Sequence, residues 1–403
     1  MTASSPSAPP RHRARTVGLV ALLGVAMATA TYLQGALSVL SSSLIDEFGL
    51  TRSQLGVAFM AFSLTGAVAS PVMGTLTDRD ATSVMAALFG VTALAVVAVA
   101  AAPNFAVLVG GSVLGGLALG AGNPVTNRVI AEDIGAARRG LVVGLKQSGP
   151  PLGLLAAGLI LPPLALAWGW RWAFVASAAI PLAGLMSTPF LLPRSRRSGS
   201  PPATRMSDES RETRSAVMWL TLIGLGVALS LSAVIAFLPL YAQERVGASA
   251  AGAGALAAAF GLTGVAGRIA WGALARRFAR PTSPLIAITV VAVLAVVAIA
   301  LAQELGMWIL WVGVIGCGFT LMAWHALGWL VLIDQVGVGG VGKASAVMQI
   351  GNSIGFASGP PIAGLLVDAT GSYMPAWVTM VAVLVVIGLL TVWIRIRTTS
   401  PKT

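Results

Sequence analysis

Two stretches of this sequence read as copies of one another: residues 63–79, SLTGAVASPVMGTLTDR, and residues 261–277, GLTGVAGRIAWGALARR. They align without a gap at an offset of 198, with six of seventeen positions identical: Leu64/Leu262, Thr65/Thr263, Gly66/Gly264, Gly74/Gly272, Leu76/Leu274 and Arg79/Arg277. Chance gives about one or two, even at this biased composition. Upstream, Gly49 pairs with Gly247 and Gly56 with Gly254. At an offset of 202, RRGLVVGLKQSGPPLG (138–153) aligns with GVGKASAVMQIGNSIG (340–355), matching Gly140, Gln147, Gly149 and Gly153 to Gly342, Gln349, Gly351 and Gly355. The chain is therefore two related halves.

Hydrophobic residues make up 57% of the chain and charged residues 9%, against about 25% charged in soluble domains. No water-soluble fold covers that much apolar surface, so the lipid bilayer is the expected solvent. The single cysteine, Cys317, rules out an internal disulfide and a cysteine-based metal site. The sequence holds no Walker loop, nucleophile triad or metal-ligand cluster. No enzymatic activity, cofactor or metal is expected.

Apolar stretches of spanning length cover 17–40, 53–74, 83–102, 105–131, 141–166 and 172–192, then 216–240, 250–275, 284–302, 306–332, 344–367 and 375–394. That is six and six. Residues 1–16 read as a disordered tail, and 396–403 as a second tail. The Arg-rich start followed by Ala28-Thr29-Ala30 imitates a signal peptide, but the apolar run is too long for one. The halves, 17–192 and 216–395, are joined by a polar linker, 193–215, at the repeat boundary.

With both termini in the cytoplasm, 19 of the 25 Lys and Arg residues fall on cytoplasmic segments. Three (Arg52, Arg171 and Arg245) fall outside, and three (Arg128, Lys146 and Arg268) lie within spans. This asymmetry orients the protein, and a multi-pass protein of the inner (plasma) membrane is expected. The net charge of +12 is thus an orientation signal that complements anionic lipid. It is no nucleic-acid footprint.

The chain resembles the major facilitator superfamily of transporters from residue 17 to residue 395. The resemblance rests on the twelve spans in two halves, the basic middle loop, and the loop after span two, Gly74-Thr-Leu-Thr-Asp78-Arg79, which keeps the Gly, Asp and Arg of the family motif. The distal Gly-Arg-Arg of that motif is missing, and the second copy has Arg276 where an acid is usual. The resemblance implies an all-α membrane protein of 12 transmembrane helices in two pseudo-symmetric six-helix bundles. It also implies a monomer that works by alternating access around a central site. Asp78, Arg79 and Arg277 are implied gate residues, with Glu132 and Lys146 assigned beside them.

Ionisable groups within spans are costly, and each is a functional candidate. Arg268 lies about 12 Å from the cytoplasmic Arg276, too deep to snorkel. The run Gly267-Arg268-Ile-Ala-Trp271-Gly272 resembles span eight of oxalate and monocarboxylate carriers, where the matching arginine holds the substrate carboxylate. Arg128 has Glu132 one turn along, which leaves open a helix-end salt bridge or a cavity role. Lys146, five residues into span five, is within snorkelling reach of the inner surface. Offset 202 pairs Asn123 with His325 at mid-depth. His325 is the one side chain within a span whose ordinary pKa lies near neutral, so it is a candidate for proton coupling or substrate contact, against a role as helix glue. Gln34 and Tyr32 complete the candidate cavity lining.

The expected function is a secondary carrier, coupled to protons, for a small organic anion or polar metabolite. The alternative is a proton-driven drug-efflux antiporter. Gly149-Pro150-Pro151 and Gly153 in span five fit the exporter motif only in part, the better Gly-x-x-x-Gly-x-x-x-Gly-Pro run at 351–360 lies in span eleven, the wrong half, and the spans hold no membrane-embedded acid. A non-transporting receptor on the same fold is the remaining alternative.

Overall fold

The computed structural model describes residues 10–192, 211–275, 277, 282–336 and 341–397. Most of the expected linker (193–210) and the ends of both tails lie outside these residues. Among the described residues, twelve helices are long and apolar enough to cross a membrane. In chain order, spans one to six are Thr16–Val39, Arg52–Arg79, Ala81–Ala100, Phe105–Asp133, Leu141–Trp168 and Trp170–Leu191. Spans seven to twelve are Arg214–Val246, Ala250–Leu274, Ser283–Ala300, Met307–Trp329, Val347–Thr370 and Met374–Ile396. The helices overrun the apolar windows. The first begins at Pro10 and that of span seven at Arg211, so residues 10–16 and 211–215 are helical where a tail and linker were expected. Arginine is a good helix former, and proline suits a first turn.

The repeat is visible in the packing. Small residues let backbones meet, and they do so at matching positions in each half. Gly149 and Gly153 of span five lie against Gly24 and Ala28 of span one, and a Cβ on Gly149 would stand 2.6 Å from the Gly24 carbonyl oxygen. Gly351 and Gly355 of span eleven lie against Thr221 and Leu225 of span seven, with 2.9 Å from Gly351 to the Thr221 oxygen. Likewise Gly116 meets Phe62, and Gly318 meets Phe260. The glycine run 351–359, which looked like an exporter motif in the wrong half, is the seam between spans seven and eleven. Gly49 and its repeat partner Gly247 both have positive φ, 60° and 77°, where a side chain would be strained.

Spans two and eleven, and spans five and eight, join the halves. Gly56 meets Pro360 and Pro361, Gly364 meets Arg52, Gly158 meets Gly254, and Gly261 meets Pro151. Hydrogen bonds between halves lie at the end that the Lys and Arg distribution assigns to the outside. There Ser38 donates to the Ile235 carbonyl and Ser42 to Gln243. The Arg52 guanidinium donates to Glu244 at 2.6 Å, and Glu244 also accepts from the Tyr373 hydroxyl at 2.8 Å. Burial, reinforced by Glu244, pushes the Tyr373 phenol up, so it stays a donor. Asp368 accepts from the backbone N–H groups of Arg52 and Ser53, the first of span two. Nearer the opposite end of these spans, Gly74, Gly144 and Gly272 have open space around them. The end that carries these bonds is closed.

Candidate functional site

Span five breaks at Ser148, between helices ending at Gln147 and starting at Gly149. Pro150 and Pro151 follow, and proline cannot donate to the preceding turn. The segment before the break carries Lys146. Its ammonium does not reach the inner surface, contrary to the snorkelling reading. Lys146 is 1% exposed, and its Nζ donates to Asn127 Oδ1 at 2.6 Å, Thr126 Oγ1 at 2.8 Å and Asn123 Oδ1 at 3.2 Å. The physical reason is the close approach of Gly149 and Gly153 to span one, which turns this face of span five into its own half. Burying an ammonium costs several kcal/mol. Hydrogen bonds to a charged donor return about 1.5–3 kcal/mol each, so three neutral oxygens offset that cost without a carboxylate.

Arg268 occupies the other half. It continues by one heptad the face of span eight on which Gly254 and Gly261 meet span five. Its Nε donates to the Met322 carbonyl of span ten at 3.1 Å, and its Nη1 is buried with no partner among the described residues. His325 stands one turn beyond Met322. Its ring lies 5.7 Å from Trp324 and 5.6 Å from Phe356, and its Nε2 is buried without a partner among the described residues. The Trp324 indole nitrogen and Asn352 Oδ1 are in the same condition. Among the described residues, neither Arg268 nor Lys146 pairs with a carboxylate; the ion pairs lie elsewhere.

Arg128 is not free to hold an anion. Its Nε lies 2.7 Å from Glu132 and its Nη1 3.7 Å from Asp78. The three residues tie the inner ends of spans two and four together. Of the open readings of Arg128, the salt bridge is what the structure contains, enlarged by Asp78. The helix-capping carboxylate of this loop is Asp80, which accepts from the backbone N–H groups of Thr82 and Ser83. Arg79 and Arg277 are exposed at the inner end.

Gln34 lies one turn before Ser38 on the face of span one that meets the other half, 8% exposed and with Nε2 unpartnered among the described residues. Tyr32 does not share that face. It is 2% exposed, within the core beside Ser177 of span six, because two residues are about 200° around a helix. Sequence reasoning missed Asn127 and Thr126. The signal was present, as Asn127 follows Asn123 by four, the spacing that places two side chains on one helix face.

The Major Facilitator Superfamily profile matches residues 20–338. The chain belongs to this superfamily. It is a multi-pass membrane transporter and not an enzyme. A probable sulfoacetate transporter from Cupriavidus necator is 26% identical over 380 residues, 84% of each chain. A hexuronate transporter from Bacillus subtilis is 29% identical over 143 residues, 35% of this chain and 34% of that one. A multidrug resistance protein B homolog from Mycobacterium tuberculosis is 28% identical over 169 residues, 40% of this chain and 30% of that one. The chain thus matches only about a third of the length of the latter two relatives. Among solved structures, a bacterial homolog of the human lysosomal transporter Spinster superposes with a TM-score of 0.75 at 17% identity, covering 96% of this chain and 97% of that one. At that identity the likeness concerns the fold.

Proposed function

We propose that this chain is a secondary carrier for a small organic anion, working by alternating access. The observation that carries the reading is the charge of the two central positions. Arg268 in one half and Lys146 in the other are cations without a carboxylate partner among the described residues. A charge held in a membrane interior without a counter-ion marks a substrate pathway. A guanidinium with an unused edge suits a carboxylate or sulfonate. The relative matched over most of its length is named for an anion, sulfoacetate, and the hexuronate transporter is named for another.

The closed outer end and the Lys and Arg distribution together support a state open to the cytoplasm. His325, beside Arg268, is the candidate for proton coupling. Moving a substrate across then requires the contacts of spans two with eleven and five with eight to exchange ends.

The test is a thermal-stability screen of detergent-purified protein against organic anions, sugars, amino acids and lipophilic cationic drugs. An anion should raise the melting temperature, and Arg268→Gln should abolish that rise while the protein still folds. Stabilisation by cationic drugs, insensitive to Arg268, would instead establish the efflux alternative. In proteoliposomes, an imposed pH gradient should drive anion accumulation, and His325→Gln should uncouple the two. Uptake indifferent to the gradient would remove the proton from the mechanism.

A further inference from the structure

An ammonium only donates, so the atoms facing Lys146 are fixed: Oδ1 of Asn123 and Oδ1 of Asn127 must point at it. Each amide therefore turns its Nδ2 group away from the lysine. Asn123 and Asn127 are exposed, and four residues apart they share one face of span four. The remaining faces of span four pack against spans one, two and three and against the inner segment of span five. Two amide N–H₂ groups thus project from span four, with a buried positive charge directly behind them. Pairing of Pro151 with Gly261 and Gly158 with Gly254 runs spans five and eight antiparallel and sets Lys146 level with residue 266. That is about 3 Å along the helix axis from Arg268. Two donor centres of like charge therefore face the same level of the membrane from opposite halves.

We infer, building on the anion-carrier reading, that the substrate carries two anionic ends, one held by Arg268 and the other by the amide donors of Asn123 and Asn127 that Lys146 orients. A monoanion balances only one of the two buried charges. A dianion balances both, and its two ends give each half a hold on the same molecule, which couples substrate binding to movement of the halves. Asn127 is then a substrate-binding residue, and Lys146 is a positioning residue that also supplies charge.

The experiment measures affinity by calorimetry on the detergent-purified full chain. The probes are oxalate, malonate, succinate, glutarate and sulfoacetate, with each dicarboxylate set against its monomethyl ester. At least one dianion should bind tenfold or more tighter than its monoester. In Asn127→Asp, Lys146 gains a carboxylate partner, so the protein keeps or raises its melting temperature. The donor is replaced by an acceptor, however, and the dianion preference should fall below twofold. Asn123→Asp carries the same expectation should the first variant not fold. Arg268→Gln removes the preference from the other end. A monoester that binds as tightly as its dianion overturns the inference, as does an Asn127→Asp protein that retains the full preference. If no carboxylate or sulfonate binds and a lipophilic cation does, the anion-carrier reading itself fails.

Discussion

Asp368 and Ser53 belong to opposite halves, yet Asp368 Oδ2 accepts the Ser53 backbone N–H at 2.8 Å while its Oδ1 accepts that of Arg52 at 2.9 Å. Span eleven thus caps span two. Thr51 and Gln54 form a capping box at the same helix start, so its orphan N–H groups are met from both halves, with a carboxylate at the positive end of the dipole. Charge-assisted bonds of this kind contribute about 1.5–3 kcal/mol each. Asp368→Ala should therefore shift the protein toward an outward-open state by a factor of ten or more. Spin labels on the exposed outer loops at Pro103 and Leu305 should report a longer distance. An unchanged distance distribution in that variant would remove Asp368 from the latch.

Removing the ion pair on the other side of the latch tests its second arm. Arg52→Gln leaves Asp368 its two backbone donors but frees Glu244, which still holds the Tyr373 hydroxyl. The pair is partly exposed, so its loss should cost about 1 kcal/mol or less. The same label pair should lengthen less than in Asp368→Ala, and a larger shift would reverse the ranking of the two arms.

Close packing makes a second contrast. A Cβ at Gly267 would collide with the Phe319 carbonyl of span ten, whereas one at the neighbouring Gly272 meets nothing within 4 Å. Gly267→Ala should cost about 1–3 kcal/mol through overpacking and visibly lower the melting temperature. Gly272→Ala should match the parent or gain slightly from its better helix propensity. Equal melting temperatures for the two variants would mean that this seam yields freely.

Asp80 gives a pH dependence outside the membrane spans. The Ser83 hydroxyl and the backbone N–H groups of Ser83 and Thr82 hold its carboxyl below its ordinary value of 3.8. A depressed pKa stabilises the fold above the ordinary value, and that contribution is lost as pH falls through the lower, folded value. Asp80→Ala should cost about 1 kcal/mol near neutrality as a lost helix cap. The gap in melting temperature between parent and variant should close only below about pH 4. A gap that persists unchanged in stronger acid would assign the effect to something other than the carboxylate.

The Arg128 cluster should act on rate more than on stability. Arg128 is 18% exposed and Asp78 52% exposed, and ion pairs this open contribute about 1 kcal/mol or less. Glu132→Gln should leave the melting temperature within about 2 °C of the parent while changing the transport rate, because the cluster sets the charge at the inner ends of spans two and four, the end that must close against the other half. A steep loss of stability would recast the cluster as structural.

The twelve spans, the pseudo-repeat and its glycine seams were legible in the order of residues alone. Length, hydropathy and small-residue spacing are local properties that a bilayer reads directly, which is why Gly149 and Gly351 were legible as partners in symmetry. That order also singled out Arg268, Asn123 and His325, because a polar group among apolar residues stands out without any fold. The direction each side chain faces was a tertiary decision. Tyr32 and Gln34 differ by two residues, yet one enters the core beside span six and the other the face toward the opposite half. Lys146 was within snorkelling reach of water, but the break at Ser148 and the seam with span one aimed it at Asn123, Thr126 and Asn127. Asp368 and Ser53 are 315 residues apart, and only the docking of the two halves brought a carboxylate to that helix end.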